Sequence, residues 1–103
     1  MTFGERIRAE RMRQRMPQKG LAALAQVSPQ YLGDIEHGRR GAPPDEVIDR
    51  LAAALGCFAD LVYFWAGRLP PRLRDTDAGY DAILDGLALL YGAIGSGVKE
   101  PPS

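Results

Sequence analysis

The sequence predicts an all-α protein, because helix signals recur along the chain and strand signals are almost missing. No stretch alternates β-branched and polar residues for long enough to make a strand. Short segments with apolar residues three or four positions apart are instead separated by Pro, Gly or Ser. We therefore expect five short helices within residues 1–67, a linker at 68–79, a sixth helix at 80–95 and a disordered tail at 96–103.

Capping and Pro residues predict the ends of the first two helices. Thr2 and Glu5 have the spacing of a capping box, so the first helix should start near residue 3 and run to about residue 15. Pro17 breaks this helix and is tolerated in the first turn of a second helix that runs to residue 25. Gly20 weakens the second helix by about 1 kcal/mol relative to Ala, so we expect packing to hold it.

The next three helices follow from similar signals. Ser28 is a favoured N-cap and Pro29 suits the first helical position, so a third helix should cover residues up to about 37, where Gly38 ends it. A fourth helix is expected over residues 44–55 and a fifth over about residues 58–66. A Gly follows each of them, as is common at helix C-termini.

The net charge of zero conceals an asymmetry along the chain. Residues 1–40 hold eight basic and four acidic residues, whereas residues 41–103 hold five basic and nine acidic residues. The basic part would be attracted to a polyanion such as a nucleic acid. A solvated basic face with no partner explains the same composition, so charge alone leaves both interpretations open.

The order of residues 18–38 is the most informative feature of the sequence. The run Q-x-x-L-A-x-x-A-x-V-S-P-x-Y-L-x-x-I-E-x-G resembles the helix-turn-helix of the Cro/cI (XRE-like) repressor family. Two helices that cross through a short turn need small residues where their backbones approach, and Ala22 and Ala25 supply them. The resemblance extends to the I-R-x-x-R of residues 7–11 and to residues 51–56. It implies a five-helix, repressor-type helix-turn-helix domain whose third helix enters the major groove of DNA.

The resemblance implies base-reading positions on the third helix. Gln30 is the foremost of them, because its side-chain amide can pair bidentately with N6 and N7 of adenine. Pro29 either contacts a thymine methyl group or only starts the helix. Asp34 either accepts a hydrogen bond from cytosine N4 or repels phosphates, and Gly33 lacks a side chain where a base reader is expected. The full set is Ser28, Pro29, Gln30, Gly33 and Asp34.

The same resemblance implies residues that hold the DNA backbone without reading its sequence. They lie at the start of the second helix, on the third helix and just after it. Tyr31 either reaches a phosphate through its hydroxyl or packs against the second helix. The set is Gln18, Lys19, Tyr31, Arg39 and Arg40.

Arg11 and Glu36 match a pair of residues that forms an ion pair between the first and third helices in this family. We expect the pair to orient the recognition helix. A surface pair of little energetic value is the alternative.

The predicted sixth helix carries an apolar stripe that suits pairing with a second copy of the chain. Two recognition helices bound to half-sites about 34–36 Å apart gain affinity and specificity over one. The alternative is that this helix folds back on its own domain. The stripe consists of Tyr80, Ile83, Leu84, Leu87, Leu90, Tyr91 and Ile94.

Motifs of catalysis and of cofactor binding are missing. The chain has one His and one Cys, no Gly-rich phosphate loop, no GxSxG and no cluster of metal ligands. We therefore expect a protein without catalytic activity, cofactor or metal. Cys57 is alone, so no disulfide can form within one chain.

The sequence thus predicts a transcriptional regulator that binds double-stranded DNA. We expect a bacterial or phage repressor that binds a palindromic operator as a homodimer and controls its own gene. The rival interpretation is an antitoxin or another protein-binding module that also binds its own operator, with a toxin as protein partner. No apolar run reaches the roughly 18 residues that span a bilayer, and no leader opens the chain, so a cytoplasmic location is expected.

Overall fold

A computed structural model describes residues 1–74 and Ala88 of the chain. Residues 1–74 contain six helices and no strand, which confirms the all-α prediction. None of the described helices has the length and apolar character needed to cross a membrane. The predicted sixth helix at residues 80–95 and the tail at 96–103 lie outside the described residues, apart from Ala88. The helices are α1 (Phe3–Arg13), α2 (Gln18–Ala25), α3 (Pro29–Glu36), α4 (Asp45–Leu55), α5 (Ala59–Trp65) and α6 (Pro71–Arg74).

The predicted caps of α1 and α3 are present. Thr2 Oγ1 accepts a hydrogen bond from the Glu5 N–H at 3.1 Å, and the Glu5 carboxylate accepts one from the Thr2 N–H at 2.8 Å. Ser28 Oγ accepts from the Tyr31 N–H at 3.0 Å. Helix α1 ends two residues earlier than expected, because Arg15 adopts a left-handed conformation with φ 55°. Arg rarely adopts this conformation, so no sequence signal marks it.

One hydrophobic core lies among the first five helices. Helix α2 packs against α3 and α4, helix α4 packs against α5, and α1 packs against α3. Each helix contributes the residues that its three-to-four periodicity places on one side. The buried apolar residues are Phe3, Ile7, Leu21, Ala22, Ala25, Leu32, Ile35, Val47, Ile48, Leu51, Ala52, Leu55, Val62 and Tyr63.

Helix α1 crosses the C-terminal end of α3 at Gly4. A Cβ atom added at this buried glycine would lie 1.9 Å from the carbonyl oxygen of Ile35 and 3.1 Å from Cα of Glu36. Only glycine therefore permits this approach of one helix backbone to another. Nothing in the sequence distinguishes Gly4, because the contact joins segments that are about thirty residues apart.

Arg68 anchors the chain that leaves α5, within the segment for which composition predicts a linker. Its Nη1 donates to the carbonyl oxygen of Pro43 at 2.6 Å and to Asp45 Oδ1 at 3.2 Å. Its Nη2 donates to the carbonyl oxygen of Ala42 at 3.1 Å. The guanidinium thereby satisfies carbonyl groups of the loop before α4, and the first residues of the segment contact the helical domain.

Two further arginines hold α6 against the domain. Arg72 Nη2 donates to Asp60 Oδ2 at 2.5 Å, and Asp60 is a buried residue in the first turn of α5. Arg74 Nη2 donates to Asp45 Oδ2 at 2.7 Å, and its guanidinium lies 5.8 Å from the centre of the Tyr63 ring. Pro, Gly and Arg in a sequence suggest an irregular segment, but they do not reveal which carboxylates the arginines will reach.

The close approach at Gly4 predicts a large effect of a small substitution. Gly4→Ala should lower the free energy of unfolding by about 3 kcal/mol, because the added methyl group meets rigid backbone. Chemical denaturation followed by circular dichroism measures this value. Gly33→Ala is the matched control, since its Cβ would meet only the flexible end of Gln18 at 3.4 Å. This control should be more stable than the wild type by about 0.5–1 kcal/mol, the helical advantage of Ala over Gly. Equal stability of the two variants would contradict the prediction.

Tyr63 predicts a loss of stability at alkaline pH. Burial, together with a hydrogen bond of 2.9 Å from its hydroxyl to Asp49 Oδ1, raises the pKa of Tyr63 to about 12. Folding therefore favours the protonated phenol over the phenolate. The contribution of protonated Tyr63 to the free energy of unfolding is complete below the ordinary tyrosine pKa of about 10. It is lost as the pH rises from there through about 12.

Alkaline titration of phenolate absorbance should thus show one of the four tyrosines ionising late. In Tyr63→Phe this late step should be absent, and the free energy of unfolding should fall less between pH 10 and 12 than in the wild type. The prediction is wrong if the late step persists in that variant.

Candidate nucleic-acid interface

Helices α2 and α3 form a helix-turn-helix joined by residues 26–28. Gln26 ends α2 in a left-handed conformation with φ 60°, and the Val27 N–H donates to the carbonyl oxygen of Ala22 at 3.0 Å. This turn redirects the chain within three residues. Ala22 and Ala25 of α2 are fully buried in the core, which agrees with the expectation that small residues lie on the inner side of this helix.

The first turn of α3 is exposed. Ser28, Pro29 and Gln30 are all open to solvent, although Ser28 also caps the helix and Pro29 occupies its first position. Asp34 follows Gln30 by four residues, so both lie on one side of the helix, and Asp34 is half-buried. Gln30 and Asp34 therefore share one face of α3, and Ser28 and Pro29 are exposed at its N-terminal end.

Gly33 does not belong to that face. It is buried, and a Cβ atom there would lie 3.4 Å from Gln18 Nε2. Helix α3 thus presents Gly33 to the Gln18 side chain of α2 rather than to solvent. The expectation that Gly33 reads a base does not fit this burial, because the turn of α3 that carries Gly33 places it on the inner side.

The predicted phosphate-binding residues have different environments. Lys19 is exposed at the start of α2, whereas Gln18 is half-buried and its Nε2 donates to Glu36 Oε1 at 3.3 Å. Tyr31 is half-buried and packs against the core, and the Arg40 guanidinium lies 4.6 Å from the centre of its ring. The side chain of Tyr31 therefore contacts the core, while the exposed Arg40 stays at the surface.

Arg39 and Asp34 form an ion pair at the C-terminal end of α3. Arg39 Nε donates to Asp34 Oδ1 at 2.8 Å, and the side chains are 61% and 24% exposed. His37 Nδ1 donates to the carbonyl oxygen of Gly33 at 2.8 Å, so it satisfies a carbonyl group near the helix end. From the sequence we expected Asp34 to contact a base and Arg39 to contact a phosphate. The turn at Gly38, with φ 74°, instead brings the two side chains together.

A buried ion pair connects α1 to α3. Arg11 Nε donates to Glu36 Oε2 at 2.8 Å and its Nη2 donates to Glu36 Oε1 at 3.0 Å. The side chains of Arg11 and Glu36 are only 12% and 0% exposed, so this is not a surface pair. Arg11 Nη1 also donates to the carbonyl oxygen of Met16 at 2.8 Å, just before α2. With Gln18 on the same carboxylate, one network contacts α1, α2 and α3.

Two polar contacts that support these helices have no sequence signal. Arg50 Nε donates to the carbonyl oxygen of Ala25 at 2.8 Å and so caps the C-terminal end of α2 from helix α4. Gln14 Nε2 donates to the carbonyl oxygen of Leu55 at 2.7 Å, at the end of α4. Among the described residues, no cluster of His, Cys, Asp and Glu could hold a metal ion.

Comparison with protein families agrees with this geometry. A family model described as a helix-turn-helix domain matches residues 2–62, which include the first four helices and most of α5. The chain belongs to the helix-turn-helix family. The resemblance to Cro/cI (XRE-like) regulators is thereby confirmed.

Individual relatives of this helix-turn-helix protein are distant. RghRB of Bacillus subtilis (strain 168), an uncharacterised HTH-type transcriptional regulator, is 28% identical over 86 residues, which are 81% of this chain and 62% of RghRB. The chain thus matches less than two thirds of that relative. The solved structure of a SinR protein/SinI protein complex aligns with a TM-score of 0.56 at 22% identity, over 96% of this chain and 84% of that one. That similarity is one of fold.

The burial of Glu36 predicts that breaking its ion pair is costly. Arg11→Met should lower the free energy of unfolding by about 3–5 kcal/mol, because it leaves a buried carboxylate without its cation. The double variant Arg11→Met/Glu36→Leu should recover most of that loss. Arg13→Met is the control, since it removes the ion pair of the largely exposed Arg13 with Glu10 and should change stability little. Urea denaturation of the four proteins tests this, and full stability of the single variant at Arg11 would contradict it.

Proposed function

We propose that this protein is a sequence-specific DNA-binding transcriptional regulator that reads the major groove with α3. The observation that carries the proposal is the exposed first turn of α3. The buried ion pair of Arg11 with Glu36 holds the other end of this helix in the domain. An α-helix fits the major groove, which is about 12 Å wide, and helix-turn-helix domains place the N-terminal residues of their second helix there. Members of this family typically bind DNA rather than catalyse a reaction.

Gln30 is the central base-reading residue in this proposal. Its exposed amide can pair bidentately with adenine, because the NH2 group donates to N7 and the carbonyl oxygen accepts a hydrogen bond from the N6 amino group. Ser28 and Pro29 flank it and are also exposed. Since few side chains reach bases, the shape of the DNA contributes to selectivity as well.

Phosphate contacts surround this reading face. Lys19 lies exposed at the start of α2, and Gln18 beside it belongs to the network around Glu36. Arg40 lies over the ring of Tyr31, which limits the freedom of its guanidinium near the C-terminal end of α3. Each cation that neutralises a phosphate contributes a slope of about −0.9 to the dependence of log K on log salt.

We further propose that two copies act together on a palindromic operator and repress transcription, including that of the protein's own gene. A single helix-turn-helix contacts few base pairs, so pairing supplies affinity and specificity. The apolar stripe predicted at residues 80–95 is the proposed pairing surface. Such a protein acts where the DNA is, in the cytoplasm of a bacterial cell.

A protein partner is the second candidate. The solved structure with the similar fold is a complex of the SinR and SinI proteins. For this chain, a protein such as a toxin would be the corresponding partner, and the chain would then act as an antitoxin that also binds its operator. Negligible DNA binding at low salt would instead favour a role in protein binding without DNA.

Selection from random DNA, followed by footprinting on the region upstream of the gene, tests the proposed function. The preferred site should be a palindrome that binds two chains. Gln30→Ala should weaken binding to that site by about 5- to 150-fold and leave binding to random DNA nearly unchanged, because it removes one bidentate base contact.

Lys19→Ala is the matched control for a residue that contacts only phosphate. It should weaken binding to all sequences evenly and reduce the salt slope by about one contact. The proposal fails if the wild type selects no sequence, or if Gln30→Ala weakens binding to every duplex alike.

A further inference from the structure

Arg39 and Arg40 are adjacent, but their side chains have different partners. The guanidinium of Arg40 lies 4.6 Å from the centre of the Tyr31 ring. That of Arg39 donates through Nε to Asp34 Oδ1 at 2.8 Å. The sequence led us to expect that both contact phosphates, yet a carboxylate beside an arginine lowers its attraction for a phosphate.

The backbone after α3 directs Arg39 towards the reading face. Gly38 has a φ of 74°, and the N–H groups of Arg39 and Arg40 donate to the carbonyl oxygen of Asp34 at 2.9 Å and 3.3 Å. The chain therefore folds back over the last turn of the helix. Asp34 is one turn after Gln30 on the same face, so Arg39 lies beside the residues proposed to enter the groove.

The ion pair leaves the recognition edge of the guanidinium available. Only Nε is engaged, and within residues 1–74 no acceptor contacts Nη1 or Nη2 of Arg39. A guanidinium held through Nε presents parallel N–H groups in a planar fork, which is the geometry that pairs with O6 and N7 of guanine. The carboxylate fixes the orientation of the fork and reduces its pull towards the phosphates.

We propose that Arg39 reads a guanine in the major groove and that Asp34 is the residue that positions it. This inference rests on the proposed function, since it assigns a second base-reading contact to the same interface. It also gives Asp34 a role other than direct repulsion of DNA. Gln30 then selects an adenine and Arg39 a guanine on the same side of α3.

The test measures affinity for the selected site, for versions with each G·C pair replaced by A·T, and for random DNA. Replacement of one particular G·C pair should lower the affinity of the wild type about 5- to 150-fold. This loss is separate from the losses at the base pairs that Gln30 reads. Arg39→Ala and Arg39→Lys should both lose discrimination at that pair and keep it at the others. Arg39→Lys should also keep the wild-type salt slope, because it retains the charge but not the planar fork.

Arg40→Ala and Asp34→Asn complete the comparison. Arg40→Ala is the matched control, and it should weaken binding to all sequences evenly with a reduced salt slope. Asp34→Asn should reduce discrimination at the same G·C pair as Arg39→Ala, while binding to random DNA is unchanged or stronger. Arg39 and Arg40 are exposed, so thermal unfolding should show that these variants are folded.

Two outcomes overturn the inference in different ways. If Arg39→Ala weakens every duplex evenly and lowers the salt slope as Arg40→Ala does, Arg39 is a phosphate contact and the proposed function stands. If the wild type prefers no sequence, the proposed function fails and the assignment of Arg39 fails with it.

Discussion

The ion pair between Arg11 and Glu36 is the interaction on which the arrangement of the interface depends. A buried ion pair is weak evidence for stability, because desolvation of both charges offsets their attraction. Once the fold buries Glu36, however, the carboxylate needs Arg11, and few orientations of α1 and α3 satisfy both of its oxygens. Arg11 also donates to the carbonyl oxygen of Met16, and Gln18 donates to Glu36, so the start of α2 is tied to the same charge. The network therefore favours one angle between the two helices of the motif.

Gly4 acts at the same end of α3 by a different physical means. The absence of a side chain lets the backbone of α1 lie against the carbonyl group of Ile35, one residue before Glu36. Close packing and charge pairing thus hold the C-terminal end of α3 inside the domain. The exposed Gln30 lies at the N-terminal end of α3, where Ser28 and Pro29 are also exposed. A helix that is anchored at one end and open at the other is suited to entering a groove without a change of fold.

Local signals predicted the helices well, and tertiary contacts explain the failures. The capping box at Thr2 and the N-cap at Ser28 involve neighbours within three residues, so the sequence shows them directly. The motif also predicted the pairing of Arg11 with Glu36, because the family pattern carries that information. Gly4 and Gly33 resemble any other glycine until another helix packs against them. The arginines after α5 likewise suggest a linker until the carboxylates that they contact are known.

The partners of the acidic residues explain where the charge asymmetry of the sequence lies in the structure. Among residues 1–40, Glu36, Glu10 and Asp34 pair with Arg11, Arg13 and Arg39. Glu5 accepts the N–H of Thr2 in the cap. No carboxylate of the described residues pairs with the remaining cations, which are Arg6, Arg8, Arg15, Lys19 and Arg40. The four acidic groups of this part are thus engaged within the chain, and its excess positive charge stays at the surface. Free cations of this kind attract a polyanion over several ångströms and do not select a sequence, so selection has to come from the few side chains that the buried network positions on α3.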